Sequence, residues 1–269
     1  MTRDAIIEQI YFKKSCLSVG LDVDIDRIPS FLLDQFEDPV FEFNKQIIDN
    51  TKELCVCYKL NIAFYESRGV DGWKSMAKTL DYIPSNIFKI ADAKRGDIGN
   101  TSKMYAQTFF EHYDFDAITV APYMGVDSVE PYLKFDQKWV ILLVLTSNRG
   151  SQDFQHHTNP AGETLYQKVI RESMSWAGPE QLMYVVGATH PAALEEIRKS
   201  VPHHFLLIPG VGAQGGTVED VMNAANVPDE CNLLINSSRG IIYAGDGKDF
   251  ADQARTAALV LQREMARFL

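Results

Sequence analysis

Eight short apolar segments recur along the chain, each with the length and composition of a buried β-strand. Their apolar residues are mostly continuous rather than alternating, which is typical of parallel strands that are covered on both faces. The predicted strands are residues 16–21, 54–60, 87–91, 117–120, 139–145, 183–186, 204–208 and 232–235. A parallel sheet with helices packed against it therefore becomes the first expectation.

Longer segments with helical spacing separate these strands. Apolar residues three or four positions apart predict helices in the following ranges: 1–14, 40–50, 101–113, 164–174, 191–199 and 249–269. Thr101 stands where it could cap helix 101–113, which connects the third and fourth predicted strands, and Pro191 suits the first turn of helix 191–199. The last helix carries an apolar stripe, formed by Ala254, Ala257, Ala258, Leu261, Met265 and Phe268.

Eight strands that alternate with helices give the number expected for a (β/α)8 TIM barrel in the α/β class. A doubly wound open sheet is the alternative. Polar or charged residues follow nearly every predicted strand, as if all of them meet at one rim, and this favours the barrel. The sequence contains no linker, low-complexity run or repeat, so we expect residues 1–269 to form a single barrel domain.

Composition and charge narrow the classes of function. The net charge of the 269-residue chain is −10, which argues against non-specific binding of nucleic acid. No apolar run reaches the roughly 20 residues of a membrane span, and the N-terminus lacks a signal-peptide core. None of the four cysteines has zinc-type spacing. We expect a cytoplasmic protein without a membrane or nucleic-acid partner.

The first candidate for chemistry is the pattern D-x-K-x-x-D directly after the third strand. Residues two apart on an extended backbone point the same way, so Asp92 and Lys94 should share a face while Arg95 turns away. Lys59 ends the buried second strand, where a charge is costly unless it is paired. A Lys59–Asp92–Lys94 alternation would keep a lysine protonated and oriented as a general acid. An ordinary solvated loop with a local ion pair is the alternative.

A second candidate is a phosphate site formed after the last two strands. Residues 209–216 read P-G-V-G-A-Q-G-G, and Ser238 and Arg239 follow the eighth strand. Barrels commonly bind phosphate at these two loops, where glycines expose backbone N–H groups and an arginine can grip the oxygens. The sequence therefore predicts a phosphate site beside the charged pattern, and the alternative is that the glycine-rich stretch only forms turns.

These motifs together resemble the orotidine 5′-phosphate decarboxylase family, in its longer bacterial-type branch. The resemblance rests on D-A-K-R-G-D-I-G-N-T at 92–101, K-L-N-I-A-F-Y-E at 59–66, L-T-S-N-R-G at 145–150, the glycine-rich stretch and Ser238–Arg239. The matches run in order over nearly the whole chain. Arg149 stands where the family pattern leads us to expect proline, which should affect loop rigidity more than chemistry.

The resemblance implies a homodimer of barrels that converts orotidine 5′-monophosphate to UMP and CO2 without a metal ion or organic cofactor. It implies a charged tetrad of Lys59, Asp92, Lys94 and Asp97, in which Lys94 protonates C6 of the pyrimidine and Asp92 lies against the substrate carboxylate. Asp97, with Thr101, would reach the active site of the partner subunit.

The resemblance also implies residues that bind the substrate. Asp22 and Lys59 would bind ribose hydroxyls, Ser147 would contact the pyrimidine, and Pro209 would line its pocket. Gln214 and Arg239 would hold the phosphate. The remaining residues expected at the substrate are Ile98, Thr101, Gly215 and Ser238.

Two other functions remain as alternatives. One is a metal-dependent aldolase or decarboxylase that acts on a sugar phosphate, because related enzymes share D-x-K-x-x-D. Lys59 argues against it, since this cation occupies the place where such an enzyme would need a carboxylate for Mg²⁺. The other is a non-catalytic sensor of a phosphate ligand, which would not require converging lysines and aspartates.

Overall fold

Eight parallel strands close into a barrel in the order of the sequence, with β8 paired to β1. The structure, a computed structural model, describes residues 1–189, 191–212 and 215–269. The strands β1 to β8 are Leu17–Gly20, Cys57–Asn61, Phe88–Arg95, Ala117–Val120, Trp139–Leu145, Leu182–Val186, Leu206–Pro209 and Leu233–Ser237. The predicted TIM barrel is confirmed, and the open doubly wound sheet is excluded.

Helices occupy the connections between the strands. The helices α1 to α12 are Arg3–Lys13, Ser30–Gln35, Pro39–Thr51, Ile62–Glu66, Gly69–Tyr82, Gly99–Gln107, Glu130–Leu133, Leu165–Ser173, Pro191–Ser200, Val218–Ala225, Arg239–Ile242 and Phe250–Met265. A π-helical turn, Thr108–His112, extends α6. No helix in the described ranges is long and apolar enough to cross a membrane.

Helix α6 differs from its prediction at the N-terminus. It begins at Gly99, whose φ of +52° places the residue in the left-handed region that glycine tolerates. Thr101 lies inside the first turn and is exposed, so the expectation that it caps the helix is wrong. By contrast, Thr164 caps α8 in a capping box with Gln167.

The core consists of apolar side chains from all eight strands and from the inward faces of the helices. β1, β4 and β6 are buried along their whole length. This burial explains why the predicted strands are continuously apolar. The charged end of β3 is the clearest exception, because Phe88 is buried whereas Lys94 is exposed.

A buried histidine near the start of β7 makes stability depend on pH. His204 packs against the ring of Tyr184, and neither of its ring nitrogens has a hydrogen-bond partner in the described part of the chain. Burial, reinforced by the charge of Arg198, lowers the pKa of His204 to about 4. The folded protein therefore keeps this imidazole neutral at pH values where an unfolded chain would protonate it.

Lowering the pH from 7 to 4 should accordingly reduce the free energy of unfolding through His204. Its unfolded pKa lies near 6.5, so the unfolded state binds the proton first, and the loss is complete near pH 4. We expect a contribution on the order of 2–3 kcal/mol. Urea unfolding across this range should show a shallower decline for His204→Phe than for wild type. The exposed-histidine variant His157→Gln should decline as wild type does; parallel curves for all three proteins would contradict the assignment.

Candidate active site

A cavity of about 340 Å³ lies at the C-terminal end of the barrel. This is the end where enzymes with this fold place their active sites. Among the predicted site residues, those that line it are Asp22, Lys59, Asp92, Lys94, Ser147, Pro209, Ser238 and Arg239. They come from segments far apart in the chain, and closure of the barrel brings them together.

The centre of the cavity is a chain of alternating charges. Lys59 Nζ lies 2.9 Å from Asp92 Oδ2 and 3.5 Å from Asp22 Oδ1. Lys94 Nζ donates to the other oxygen of Asp92, Oδ1, at 2.5 Å. The Lys59–Asp92–Lys94 alternation expected from the sequence is therefore present, and Asp22 extends it.

The opposite charges around them hold Lys59 and Asp92 in their charged forms. Burial alone would lower the pKa of Lys59, but the carboxylates of Asp22 and Asp92 outweigh it and raise that pKa above its usual value. Burial would raise the pKa of Asp92, but Lys59 and Lys94 outweigh it and hold that pKa well below its usual range. Near neutral pH, the cavity thus contains an ionised Asp92 between cationic neighbours.

The two lysines differ in their access to the cavity. The side chain of Lys59 is 5% exposed, whereas that of Lys94 is 50% exposed. Lys59 is enclosed by its carboxylate partners. Lys94 therefore has the ammonium group that an incoming ligand can approach.

The end of β3 directs Lys94 into the cavity. The pairing of β3 with β4 shifts register between Ala91 and Arg95, and within this bulge Lys94 adopts a φ of +47°. Arg95 points the other way, where it pairs with Glu66 and lies over the ring of Tyr105. The predicted opposition of Lys94 and Arg95 is confirmed.

The opposite side of the cavity carries the candidate phosphate site. Arg239 begins α11 and is exposed, and its guanidinium forms no ion pair or hydrogen bond within the described part of the chain. Gly20 permits close approach of Ser238, because a Cβ at Gly20 would lie 1.8 Å from Ser238 Oγ. Gly215 has a φ of +89°, which favours glycine. Gln214, also expected here, lies outside the described residues.

Apart from Gly215 in the glycine-rich loop, three predicted residues of the described ranges lie outside the lining of this cavity. Asp97 is partly buried and accepts a bond from the N–H of Ile98 at 2.8 Å. Ile98 and Thr101 are exposed. Asp97 and Ile98 occupy the turn that leads from β3 into α6, and Thr101 lies in the first turn of α6. Their expected role at a partner's active site is compatible with this position.

Several polar side chains of the cavity were not singled out from the sequence. Asn61 and Asn236 line it at the ends of β2 and β8, and Thr119 lines it from β4. The two asparagines follow predicted strands and could have been selected on that ground. Thr119 lies within the run 117–120, in which it is the single polar residue. This was the only feature of the sequence that could have pointed to it.

Comparison with known proteins decides the family. The model of the orotidine 5′-phosphate decarboxylase / HUMPS family matches residues 15–254. The chain belongs to this family. The resemblance first identified from the motifs is therefore confirmed over most of the sequence.

Relatives within the orotidine 5′-phosphate decarboxylase family match the whole chain. A curated orotidine 5′-phosphate decarboxylase from Bacteroides fragilis is 56% identical over 272 residues, covering 100% of this chain and 98% of the relative. One from Christiangramia forsetii is 56% identical over 270 residues, covering 99% and 98%. The solved OMP decarboxylase of Leishmania donovani superimposes with a TM-score of 0.86 at 34% identity, covering 100% of this chain and 99% of that one.

Proposed function

We propose that this protein is a carboxy-lyase that converts orotidine 5′-monophosphate to UMP and CO2 in pyrimidine biosynthesis. One observation carries the proposal: the Lys59–Asp92–Lys94 chain lines the cavity of a barrel whose curated relatives are orotidine 5′-phosphate decarboxylases. The test is to mix the purified protein with orotidine 5′-monophosphate in the presence of EDTA and to follow the ultraviolet absorbance. The proposal requires that the substrate is converted to UMP under these conditions.

The positions of the polar side chains support one orientation of the substrate. Arg239 would bind the phosphate together with Gln214, Gly215 and Ser238, since a guanidinium can donate two parallel bonds to phosphate oxygens. The pyrimidine would then extend towards Lys94. The groups that remain for the sugar and the base are Asp22 and Lys59 for the ribose hydroxyls, and Ser147 and Pro209 for the pyrimidine.

Lys94 would supply the proton. As the bond between C6 and the carboxylate breaks, CO2 leaves and the electron pair remains on C6. The Lys94 ammonium stabilises this charge where it develops and donates a proton from Nζ to form the C6–H bond. Solvent then returns a proton to the neutral amine. Asp92 would lie against the substrate carboxylate and keep Lys94 oriented through the 2.5 Å contact.

The phosphate would contribute to rate although it lies away from C6. Contacts to this remote group can hold the pyrimidine against Lys94, so their binding energy stabilises the transition state relative to free enzyme and substrate and is expressed in kcat/KM. The lysines supply the positive charge that the developing carbanion requires. On this account the reaction needs neither a metal ion nor an organic cofactor.

We also propose a homodimer in which Asp97 and Thr101, with Ile98 between them, contribute to the partner's active site. Large apolar side chains surround the turn after β3 and the loop after β4: Ile98, Met104, Tyr123, Met124 and Val126 are all exposed. Tyr123 reaches 89% exposure. A patch of this kind is typical of a protein–protein interface, and a second copy would place Asp97 beside a neighbouring cavity.

We also infer the cellular setting, and the cysteines support it. Cys16, Cys55, Cys57 and Cys231 are all buried free thiols. Reduced thiols suit the cytoplasm, where disulfides are rare. We therefore place the protein in the cytoplasm, with residues 1–269 acting as one barrel domain and neither nucleic acid nor membrane as a partner.

Replacing Arg239 with alanine should mainly raise KM for orotidine 5′-monophosphate. The substitution removes a charged contact to the phosphate, which should cost on the order of 2–4 kcal/mol in kcat/KM. Steady-state kinetics measures the changes in KM and kcat/KM. Arg267→Ala is the control, because Arg267 is an exposed arginine near the C-terminus. An unchanged KM in Arg239→Ala would remove Arg239 from the phosphate site.

A further inference from the structure

We propose that Thr119 is a positioning residue, which fixes Asp92 and the backbone of Lys94 for proton delivery. The inference rests on the proposed decarboxylation and adds a residue to it. Thr119 lies in β4, is 1% exposed and contributes to the lining of the cavity. It carries no charge and would not itself exchange a proton with the substrate.

Opposite Thr119, the backbone of β3 departs from regular pairing with β4. Ala91 pairs with Ile118 and Arg95 pairs with Val120, so the residues from Asp92 to Lys94 bulge opposite the single residue Thr119. A bulge interrupts the ladder of backbone hydrogen bonds. Lys94 also has a φ of +47°, which is costly for a residue with a side chain and persists only when its surroundings hold it.

The hydroxyl of Thr119 compensates for the interrupted ladder. The backbone N–H of Lys94 donates to Thr119 Oγ1 at 2.9 Å. The same hydroxyl donates to Asp92 Oδ1 at 3.1 Å. A hydroxyl can both accept and donate, and here it does both within the bulge. Thr119 thus joins the backbone of Lys94 to the carboxylate that orients the Lys94 side chain.

Both ends of Lys94 are therefore tied to one oxygen of Asp92. Asp92 Oδ1 accepts from Lys94 Nζ at 2.5 Å and from the Thr119 hydroxyl, which in turn holds the Lys94 N–H. Loss of the hydroxyl would leave that N–H without its partner and would remove one of the hydrogen bonds that fix the carboxylate of Asp92. Nζ would then lose its alignment with C6, and an error of about 1 Å in such geometry can cost on the order of 100-fold in rate.

Thr119 should affect kcat more than KM. The proposed phosphate site belongs to Ser238 and Arg239, which follow β8, and within the described part of the chain neither forms a hydrogen bond with Thr119. Binding of the phosphate should survive a change at Thr119. This separation distinguishes misalignment of Lys94 from a general loss of the active site.

The test compares Thr119→Val, which removes the hydroxyl, with Thr119→Ser, which keeps it. Thr79→Val is the matched control. Thr79 lies in α5 and, like Thr119, is a buried threonine; its hydroxyl donates to a backbone carbonyl. We expect Thr119→Val to lower kcat by about 10- to 100-fold with KM within about threefold. Thr119→Ser should recover most of kcat, and Thr79→Val should lose stability without losing kcat.

Thermal melts and UMP titrations show that each variant is folded and competent to bind. If folded Thr119→Val keeps kcat within about twofold of wild type, or if Thr119→Ser is as slow as Thr119→Val, the positioning role is overturned. A rise in KM with unchanged kcat would overturn it as well. If the wild-type protein does not decarboxylate orotidine 5′-monophosphate, the proposed function itself fails, which is a separate result.

Discussion

The Lys94→Ala variant is expected to lose at least about 10⁴-fold in kcat while it keeps nearly wild-type affinity for UMP. The substitution removes both the proton donor and the positive charge closest to the developing carbanion. Binding should survive because the phosphate site is formed by other residues. Asp92 also remains balanced, since Lys59 Nζ lies 2.9 Å from its other oxygen.

Turnover of Lys94→Ala is measured by ultraviolet absorbance, and its affinity for UMP by calorimetric titration. Lys168→Ala is a suitable control, because Lys168 is an exposed lysine on α8, outside the cavity lining. It should behave as wild type in both measurements. If Lys94→Ala retains kcat within about tenfold of wild type, Lys94 is not the proton donor.

Mixing two inactive variants should restore activity if Asp97 acts across the subunit interface. Asp97→Ala lacks the group contributed to the partner, and Lys94→Ala lacks the proton donor. In a heterodimer, the site with intact Lys94 receives intact Asp97 from the other subunit. Random exchange should make roughly a quarter of all sites complete, so activity should rise from near zero towards that fraction.

Subunit exchange must be demonstrated independently, for example by mass spectrometry of differently labelled subunits. Each variant mixed with itself serves as the control and should remain inactive. Exchange without recovery would show that Asp97 and Lys94 act within one subunit, whereas activity in the Asp97→Ala control would show that Asp97 is not required. Either result would contradict the proposed sharing of the site.

The barrel could be predicted because its strands leave a simple signature. Strands buried on both faces are continuously apolar, and each of the eight predicted segments overlaps an observed strand. The predicted strand boundaries were less exact. The second strand was predicted to begin at residue 54, but β2 begins at Cys57, because Leu54 still lies in the turn after α3. The third strand was predicted to end at residue 91, where charged residues begin, whereas β3 extends to Arg95.

The charged centre of the site was predictable from spacing, whereas its support was not. Alternation along an extended strand places Asp92 and Lys94 on one face, and the pairing of β2 with β3 brings Lys59 beside them. The bulge that gives Lys94 its left-handed backbone depends on pairing between β3 and β4. That pairing also determines that Thr119 faces the bulge, and sequence spacing does not reveal it.

The most direct test of the central claim is the ultraviolet absorbance of orotidine 5′-monophosphate mixed with purified protein in excess EDTA. Identically purified Lys94→Ala controls for contaminating host enzyme. We expect steady conversion to UMP by the wild-type protein and none by Lys94→Ala. A flat trace from folded wild-type protein, or conversion that begins only after Mg²⁺ is added in excess over EDTA, would contradict metal-free decarboxylation.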